Sequence, residues 1–212
     1  MRKISITRAL QELKLLDQRI NKEINSTKFI TTKKVKSEKL QNGIMTVKEF
    51  EDNAKAKFQS LNDLIYRRKI IKSLIVESNA KTTVEINGVT YTVADAIERK
   101  TSIEYDKKVL DMLKRQLSSC TTILETENAR MEQSKQQFIN AVVGRDSVDS
   151  KLISDTTEIA NKKFEGEETV LVDPINIAKT IDKLEDDIIG FENEVDMVLS
   201  EINGITMIEI ED

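Results

Sequence analysis

The stretch that decides the fold spans residues 93–143 and reads VADAIERKTSIEYDKKVLDMLKRQLSSCTTILETENARMEQSKQQFINAVV. An apolar side chain recurs in it at every seventh residue. These side chains are Ala96, Ile103, Leu110, Leu117, Leu124, Met131 and Phe138. A seven-residue repeat lines up its members along one side of an α-helix, and that side needs another helix to cover it. The repeat predicts one helix over residues 93–143 that packs in a coiled coil.

The second seam position of this helix is apolar only in its middle. It is occupied by Arg99, Asp106, Leu113, Cys120, Glu127, Ser134 and Ala141. We therefore expect the tightest packing over residues 110–124, with Cys120 as a small core residue. Arg99 at such a position has to bury its stem, and its guanidinium needs a charged partner or a ligand.

A complementary apolar stripe occupies residues 177–202. Its members alternate in steps of four and three: Ile177, Ile181, Leu184, Ile188, Phe191, Val195, Val198 and Ile202. Asp173 and Pro174 predict the start of this helix, and Asn203 with Gly204 predicts its end. If residues 144–173 fold back, the two long helices form an antiparallel hairpin in one chain. In between we expect a turn at 144–150, a short helix at 151–164 and a strand or docking segment at 170–172.

The N-terminal half predicts two helices and a β-hairpin. One apolar stripe indicates a helix over residues 4–24, followed by a loop over 25–43. Thr46 and Glu49 have capping-box spacing, which predicts a second helix from there to residues 78–79. Asn87-Gly88 lies between β-branched runs and predicts a hairpin over residues 82–92. Residues 205–210 are a candidate third strand for it.

Composition agrees with a mainly α, elongated protein. The 212 residues are 33% charged and 4% aromatic, with a single proline, which is typical of long helices. We predict an N-terminal helical pair plus hairpin over 1–92 and a coiled-coil helical hairpin with a terminal strand over 93–212. These two parts would form one continuous unit.

Several functional classes are disfavoured by residues that are missing. The chain contains no histidine and one cysteine, which excludes Ser-His-Asp and Cys-His nucleophiles and histidine metal sites. No glycine-rich phosphate loop occurs. We therefore expect no catalytic residues, no metal and no cofactor. A single cysteine fits a reducing compartment, and without an apolar run for a signal peptide or a membrane span we expect a cytoplasmic protein, or a virion component.

Opposite charges are concentrated in two parts of the chain. Residues 28–39 contain five lysines and one acid, whereas residues 182–212 contain eleven acids and one lysine. Each run can be a solvated face. Alternatively, the basic segment contacts the acidic tail, in the same or another subunit.

Two segments resemble an uncharacterised helical family labelled septicolysin-like. They are Ile6-Thr7-Arg8-Ala9-Leu10 through Leu16-Asp17-Gln18-Arg19-Ile20, and Ser78-Asn79-Ala80, Gly88 and Thr92-Val93-Ala94-Asp95-Ala96-Ile97-Glu98-Arg99-Lys100. The resemblance covers residues 4–24 and 78–100 and implies a helical fold with a hairpin. The membrane lysis that the family label suggests has no counterpart in these helices. The Lys, Ile and Asn usage also resembles that of uncharacterised phage proteins.

One basic group is a candidate ligand site. It comprises Arg67, Arg68, Lys69 and Lys72 late in the second helix, and Arg99 and Lys100 early in the third. The hairpin would bring the two helix ends together, so that the group could hold an anion or phosphate. The alternative is that these cations pair with Glu77, Glu85, Asp95, Glu98 and Glu104.

These features favour a non-enzymatic, homo-oligomeric binding protein that sequesters a small anionic ligand such as a nucleotide signal. A structural or assembly protein of a virion or scaffold is one alternative. A regulator that docks a helical groove on a host protein is another. Nucleic acid is a poor match, because no aromatic residues interleave with the basic ones and the net charge is −4.

Overall fold

The computed structural model describes residues 1–40, 45–144 and 150–210, and it is mainly α-helical, as predicted. Its elements in chain order are β1 (Arg2–Ser5), α1 (Ile6–Ser26), α2 (Val47–Lys81), β2 (Thr83–Ile86), β3 (Val89–Thr92), α3 (Val93–Val143), α4 (Ser150–Lys163), α5 (Ile177–Ile205) and β4 (Met207–Ile210). Most of the predicted turn at 144–150, and the end of the loop at 25–43, lie outside the described residues.

The chain groups into two compact units. The first joins Met1–Thr101 with Gly190–Asp212, and the second is Ser102–Ile189. Both boundaries fall inside long helices, so the units do not coincide with the segments 1–92 and 93–212. That division into domains stays a prediction.

Two separate antiparallel sheets lie in the first unit. β2 and β3 form the predicted hairpin, in which Asn87 (φ 50°) and Gly88 (φ 71°) supply the positive φ angles of the turn. The predicted third strand also forms, as β4, but the three-stranded sheet is wrong. β4 pairs with β1, with Ile4 opposite Ile208. Its buried isoleucines alternate with exposed residues, and that pattern matches β1 and the core beneath it.

The core of the first unit lies where α1, α2, β1 and β4 meet. It is built from Ile4, Ile6, Ala9, Leu13, Leu16, Ile71, Ile75, Ile208 and Ile210. Helix α1 begins at Ile6 rather than Ile4, because Ser5 ends β1 and its hydroxyl accepts a hydrogen bond from the Arg8 N–H. The direct passage from β1 into α1 sets the positions of the arginines on both elements.

The start of α3 and the end of α5 complete the first unit. The Tyr91 ring packs edge-on against Phe191 at 5.8 Å between centroids, and the Arg99 guanidinium lies 5.8 Å from the same Phe191 ring. The Asn87 N–H donates to the Glu194 carboxylate at 2.7 Å. The aromatic ring is one contact of the Arg99 guanidinium, and the charged partner or ligand that the sequence suggests for it stays a prediction.

In the second unit the chain returns antiparallel to α3, as predicted. Lys114 Nζ donates to Glu185 at 2.7 Å, the Asn128 amide bonds the backbone of Thr169, and Phe138 packs on Phe164 at 6.4 Å. Going along α3 from Lys114 to Phe138, the contacted residues have decreasing sequence numbers, from 185 to 164, which shows that the two chain segments run in opposite directions. The predicted packing residues are all buried or half-buried in the single chain: Ile103, Leu110, Leu117, Leu124, Met131, Phe138, Ile181, Leu184, Ile188, Phe191, Val195 and Val198. Their association with a second subunit stays a prediction.

Three local predictions are wrong. Cys120 is exposed rather than a core residue. Helix α5 begins at Ile177 instead of Pro174, because Asn176 adopts a left-handed conformation (φ 52°) while the Asp173 carboxylate accepts the Ile177 N–H. The helix also does not end at Asn203 and Gly204 but continues to Ile205. Thr206 then connects it to β4, and its carbonyl accepts a hydrogen bond from the Ile6 N–H. Of the two alternatives for residues 170–172, the strand does not form, and the docking segment stays a prediction.

Candidate functional site

The six basic residues of the predicted ligand group lie in separate surroundings. Arg68 pairs with Asp17 on α1, and Lys100 pairs with Asp196 on α5. Lys69 and Lys72 are exposed on α2. Arg99 packs on an aromatic ring, as described above. Carboxylate pairing therefore accounts for Arg68 and Lys100, whose partners Asp17 and Asp196 are not among those that the sequence suggested.

Arg67, the remaining member, lines a cleft of about 600 Å³ between β1, α1 and α2. Its lining residues are Arg2, Arg8, Gln11, Glu12, Leu15, Leu16, Arg19, Leu64 and Arg67. We call this the arginine cleft. Four guanidinium groups face a single carboxylate in it, so the lining has a charge of +3 on a chain whose net charge is −4.

Helix periodicity explains why α1 supplies most of the cleft. Arg8, Glu12, Leu15 and Arg19 are spaced four, three and four residues apart, which places them along one face of the helix. The neighbouring Leu16 is buried in the core and anchors that face. β1 adds Arg2 at one end, and α2 adds Leu64 and Arg67, three residues apart.

Glu12 organises two of the four arginines. It accepts from Arg2 Nη2 at 2.5 Å and from Arg67 Nε and Nη2 at 3.0 and 2.8 Å. Burial acts to raise the pKa of Glu12, but the hydrogen bonds and charges of Arg67 and Arg2 together lower it below its ordinary value. The carboxylate is thus ionised at neutral pH and holds both guanidinium groups in place.

The other two arginines are not engaged in this way. Arg8 and Arg19 are exposed, and within the part of the chain that the structure describes neither side chain forms an ion pair. The buried Nε of Arg2 also lacks a hydrogen-bond partner among the described residues. Each guanidinium carries five N–H donors, so the cleft retains donors for an added anion.

This chemistry suits binding better than acid–base catalysis. Arginine keeps its proton at any ordinary pH, and Glu12 has a lowered pKa and two partners.

Among residues 1–40, 45–144 and 150–210 no group of three or more Cys, Asp or Glu side chains is arranged to hold a metal ion. Over the same residues, none of the helices has both the length and the apolar character that crossing a bilayer requires.

A second recess, in the second unit, is apolar. It has a volume of about 490 Å³. Helix α3 contributes Gln116, Leu117, Cys120, Ile123 and Leu124, and the returning chain contributes residues 169–175 and Ile177. We call it the apolar groove. Ile123, Val170, Val172 and Ile175 are exposed around it. Exposed apolar surface of this kind is typical of contact sites.

Sequence reasoning missed three of the four arginines in the cleft. The spacing of Arg8 and Arg19 on one face of α1 was a usable signal. Arg2 had none, because its position depends on the pairing of β1 with β4 at the other end of the chain.

Comparison with known proteins finds no matching family model, no matching curated protein and no matching solved structure. The septicolysin-like resemblance therefore stays a prediction.

Proposed function

We propose that this protein binds a small organic anion, with phosphate as the favoured group, in the arginine cleft. The observation that carries the proposal is that four guanidinium groups surround one cleft that contains a single carboxylate. Arginine offers paired N–H donors that match phosphate and carboxylate oxygens, and it loses less solvation than lysine when it does so.

The apolar lining supports an organic ligand rather than a bare ion. Two leucines line the cleft, Leu15, which is 54% exposed, and Leu64. A volume of about 600 Å³ lies within the range of small-molecule sites. A nucleotide fits this description, since its phosphate would contact arginines of the cleft while its base covers the leucines.

Calorimetric titration tests the proposal with three probes: AMP, inorganic phosphate and a dicarboxylate such as succinate. We expect AMP to bind most tightly, and the affinity to fall as salt rises from 50 to 500 mM, because screening weakens exposed charge pairs. Replacing Arg8 and Arg19 together by glutamine should lower the affinity at least tenfold.

The matched control is the double substitution Lys69→Gln and Lys72→Gln, which removes two exposed cations of the predicted group outside the cleft. It should leave the affinity within twofold. If this variant loses binding while the Arg8 and Arg19 variant keeps it, the predicted group is the site and the arginine cleft is not. Absence of heat with all three probes at millimolar concentration contradicts anion binding altogether.

An assembly protein is the second candidate function, and the exposed apolar side chains around the apolar groove favour it. In this proposal the antiparallel pairing of α3 with the returning chain is a coiled coil, and copies of the chain associate in the cytoplasm without catalysing a reaction. Neither candidate depends on the other, because the arginine cleft and the apolar groove share no residue.

A further inference from the structure

An acidic and apolar segment borders the apolar groove. Residues 165–173 contain Glu165, Glu167, Glu168 and Asp173 and no basic residue, a charge of −4. Between these acids lie Val170, Leu171 and Val172, which are exposed, Val172 to 90%. We call residues 165–173 the acidic segment. Among the described residues, none of its four carboxylates forms an ion pair.

Asn128 holds this segment in place by its backbone. Its side-chain amide donates to the Thr169 carbonyl at 3.0 Å and accepts the Thr169 N–H at 2.8 Å. In the part of the chain that the structure describes, the next three residues make no hydrogen bond to another backbone group. The segment is thus held by Asn128 at Thr169 and by the Asp173 carboxylate at the start of α5, while residues 170–172 between them present their apolar side chains and backbone to a partner.

A segment of opposite character occurs near the other end of the sequence. Residues 28–39 contain Lys28, Lys33, Lys34, Lys36 and Lys39 against Glu38, a charge of +4 from five lysines and one acid. Ile30 and Val35 are 86% and 94% exposed. We call residues 28–39 the basic segment. Over the described residues its first four lysines form no ion pair, and the Lys33 ammonium donates only to the Ser37 carbonyl.

The acidic tail at 182–212 is a poorer match for these lysines. Several of its carboxylates already have partners in the chain: Glu185 with Lys114, Asp196 with Lys100, and Glu209 with Lys3. Three carboxylates of the acidic segment, those of Glu165, Glu167 and Glu168, are available instead, because the Asp173 carboxylate already accepts the Ile177 N–H. The net charge of the segment, −4, equals that of the basic segment with the opposite sign.

We infer that the acidic segment of one copy docks on the basic segment of a second copy. Four lysines would approach the glutamates, and Ile30 and Val35 would cover Val170 and Val172. The inference rests on the assembly candidate and names its surface and its partner. The two surfaces differ, so the contact is heterologous, and each copy keeps one surface of each kind for further copies. Such a contact produces a ring or an open filament.

Charge reversal tests this contact in the full-length chain. Sedimentation velocity at 50 mM salt should show a mass that rises with protein concentration, and 500 mM salt should reduce it. The triple variant Lys33→Glu, Lys34→Glu and Lys36→Glu should be monomeric, and so should Glu165→Lys, Glu167→Lys and Glu168→Lys. Mixing the two variants in equal amounts should restore association, because each then supplies the charge that the other lacks.

The control reverses three exposed lysines elsewhere, Lys22, Lys69 and Lys72, and should associate like the wild type. Circular dichroism of every variant shows whether it is folded. A wild-type chain that stays monomeric at all concentrations overturns both the contact and the assembly candidate. Association that survives either triple reversal, or that is not restored by mixing, overturns this contact alone. The titration of the arginine cleft is a separate measurement and is unaffected by either result.

Discussion

Replacing Gly190 by alanine is expected to destabilise the protein, although alanine is the better helix former. Gly190 lies inside α5, where an added Cβ would stand 2.5 Å from both Nδ2 and Oδ1 of Asn87 in the β2–β3 turn. Real Cβ atoms do not approach other atoms so closely, so the Asn87 carboxamide would have to move. Its own backbone is constrained by the positive φ of the turn and by the N–H bond to Glu194.

Two opposing contributions determine how much Gly190→Ala changes the unfolding free energy. Alanine in place of glycine inside a helix gains about 1 kcal/mol of unfolding free energy. Overpacking a filled site costs about 1–3 kcal/mol. The variant should therefore be as stable as the wild type or up to about 2 kcal/mol less stable. For a chain of this length, about 1 kcal/mol corresponds to a Tm change of about 2–4 °C.

A double-mutant cycle separates these terms. Asn87→Gly removes the obstructing side chain, keeps the N–H that Glu194 accepts, and leaves Gly-Gly, which the turn tolerates. In that background Gly190→Ala should stabilise the protein by about 1 kcal/mol. The coupling free energy from urea unfolding followed by circular dichroism should thus be about 1–3 kcal/mol. A coupling of zero, with Gly190→Ala equally stabilising in both backgrounds, would falsify the close packing of α5 on the hairpin turn.

Three further predictions concern the first unit. Ile71→Ala should lower the unfolding free energy by about 2–5 kcal/mol because Ile71 is fully buried, whereas Val76→Ala on the exposed side of α2 should change it by less than about 0.5 kcal/mol; urea unfolding measures both. Thr46→Ala removes the hydroxyl that accepts the Glu49 N–H at 3.2 Å and should cost about 0.5–2 kcal/mol, while Thr46→Ser should be nearly neutral in the same assay. The pKa of Glu12 is lowered in the folded state, so its ion pairs stabilise the fold fully above the ordinary value of 4.5, and this contribution is lost as the pH falls through the folded-state pKa. The stability difference between wild type and Glu12→Gln should accordingly be larger at pH 7 than at pH 3, and a difference independent of pH would contradict the pairing.

Elements with a local signature were predictable from sequence. The seven-residue repeat placed a helix over 93–143, where α3 lies, and Asn87-Gly88 placed the hairpin turn. Thr46 and Glu49 form the predicted capping box. In each case the residues that determine the element stand at a short, fixed spacing within that element, so their spacing alone carries the information.

Elements that depend on distant partners were not predictable in this way. β1 is four residues long, and only its pairing with β4 makes it a strand. Asp173 and Pro174 both favour a helix start, but the left-handed conformation of Asn176 delays the helix to the next residue. Nothing in the sequence preferences of Asp173 and Pro174 indicates this conformation. The arginine cleft draws on β1, α1 and α2, and of its arginines only Arg67 belonged to the predicted group. Charge clusters formed by tertiary packing leave no continuous pattern in the sequence.

The pairing of β1 with β4 also determines when the protein can finish folding during its synthesis. The ribosome makes Ile4 about two hundred residues before its partner Ile208, so the side of the core that β4 covers stays exposed while the long helices are translated. Premature termination just before residue 207 would leave that core open to solvent at one edge. Quality-control proteases and chaperones recognise such exposed apolar surface, so nascent and truncated chains should both be their clients.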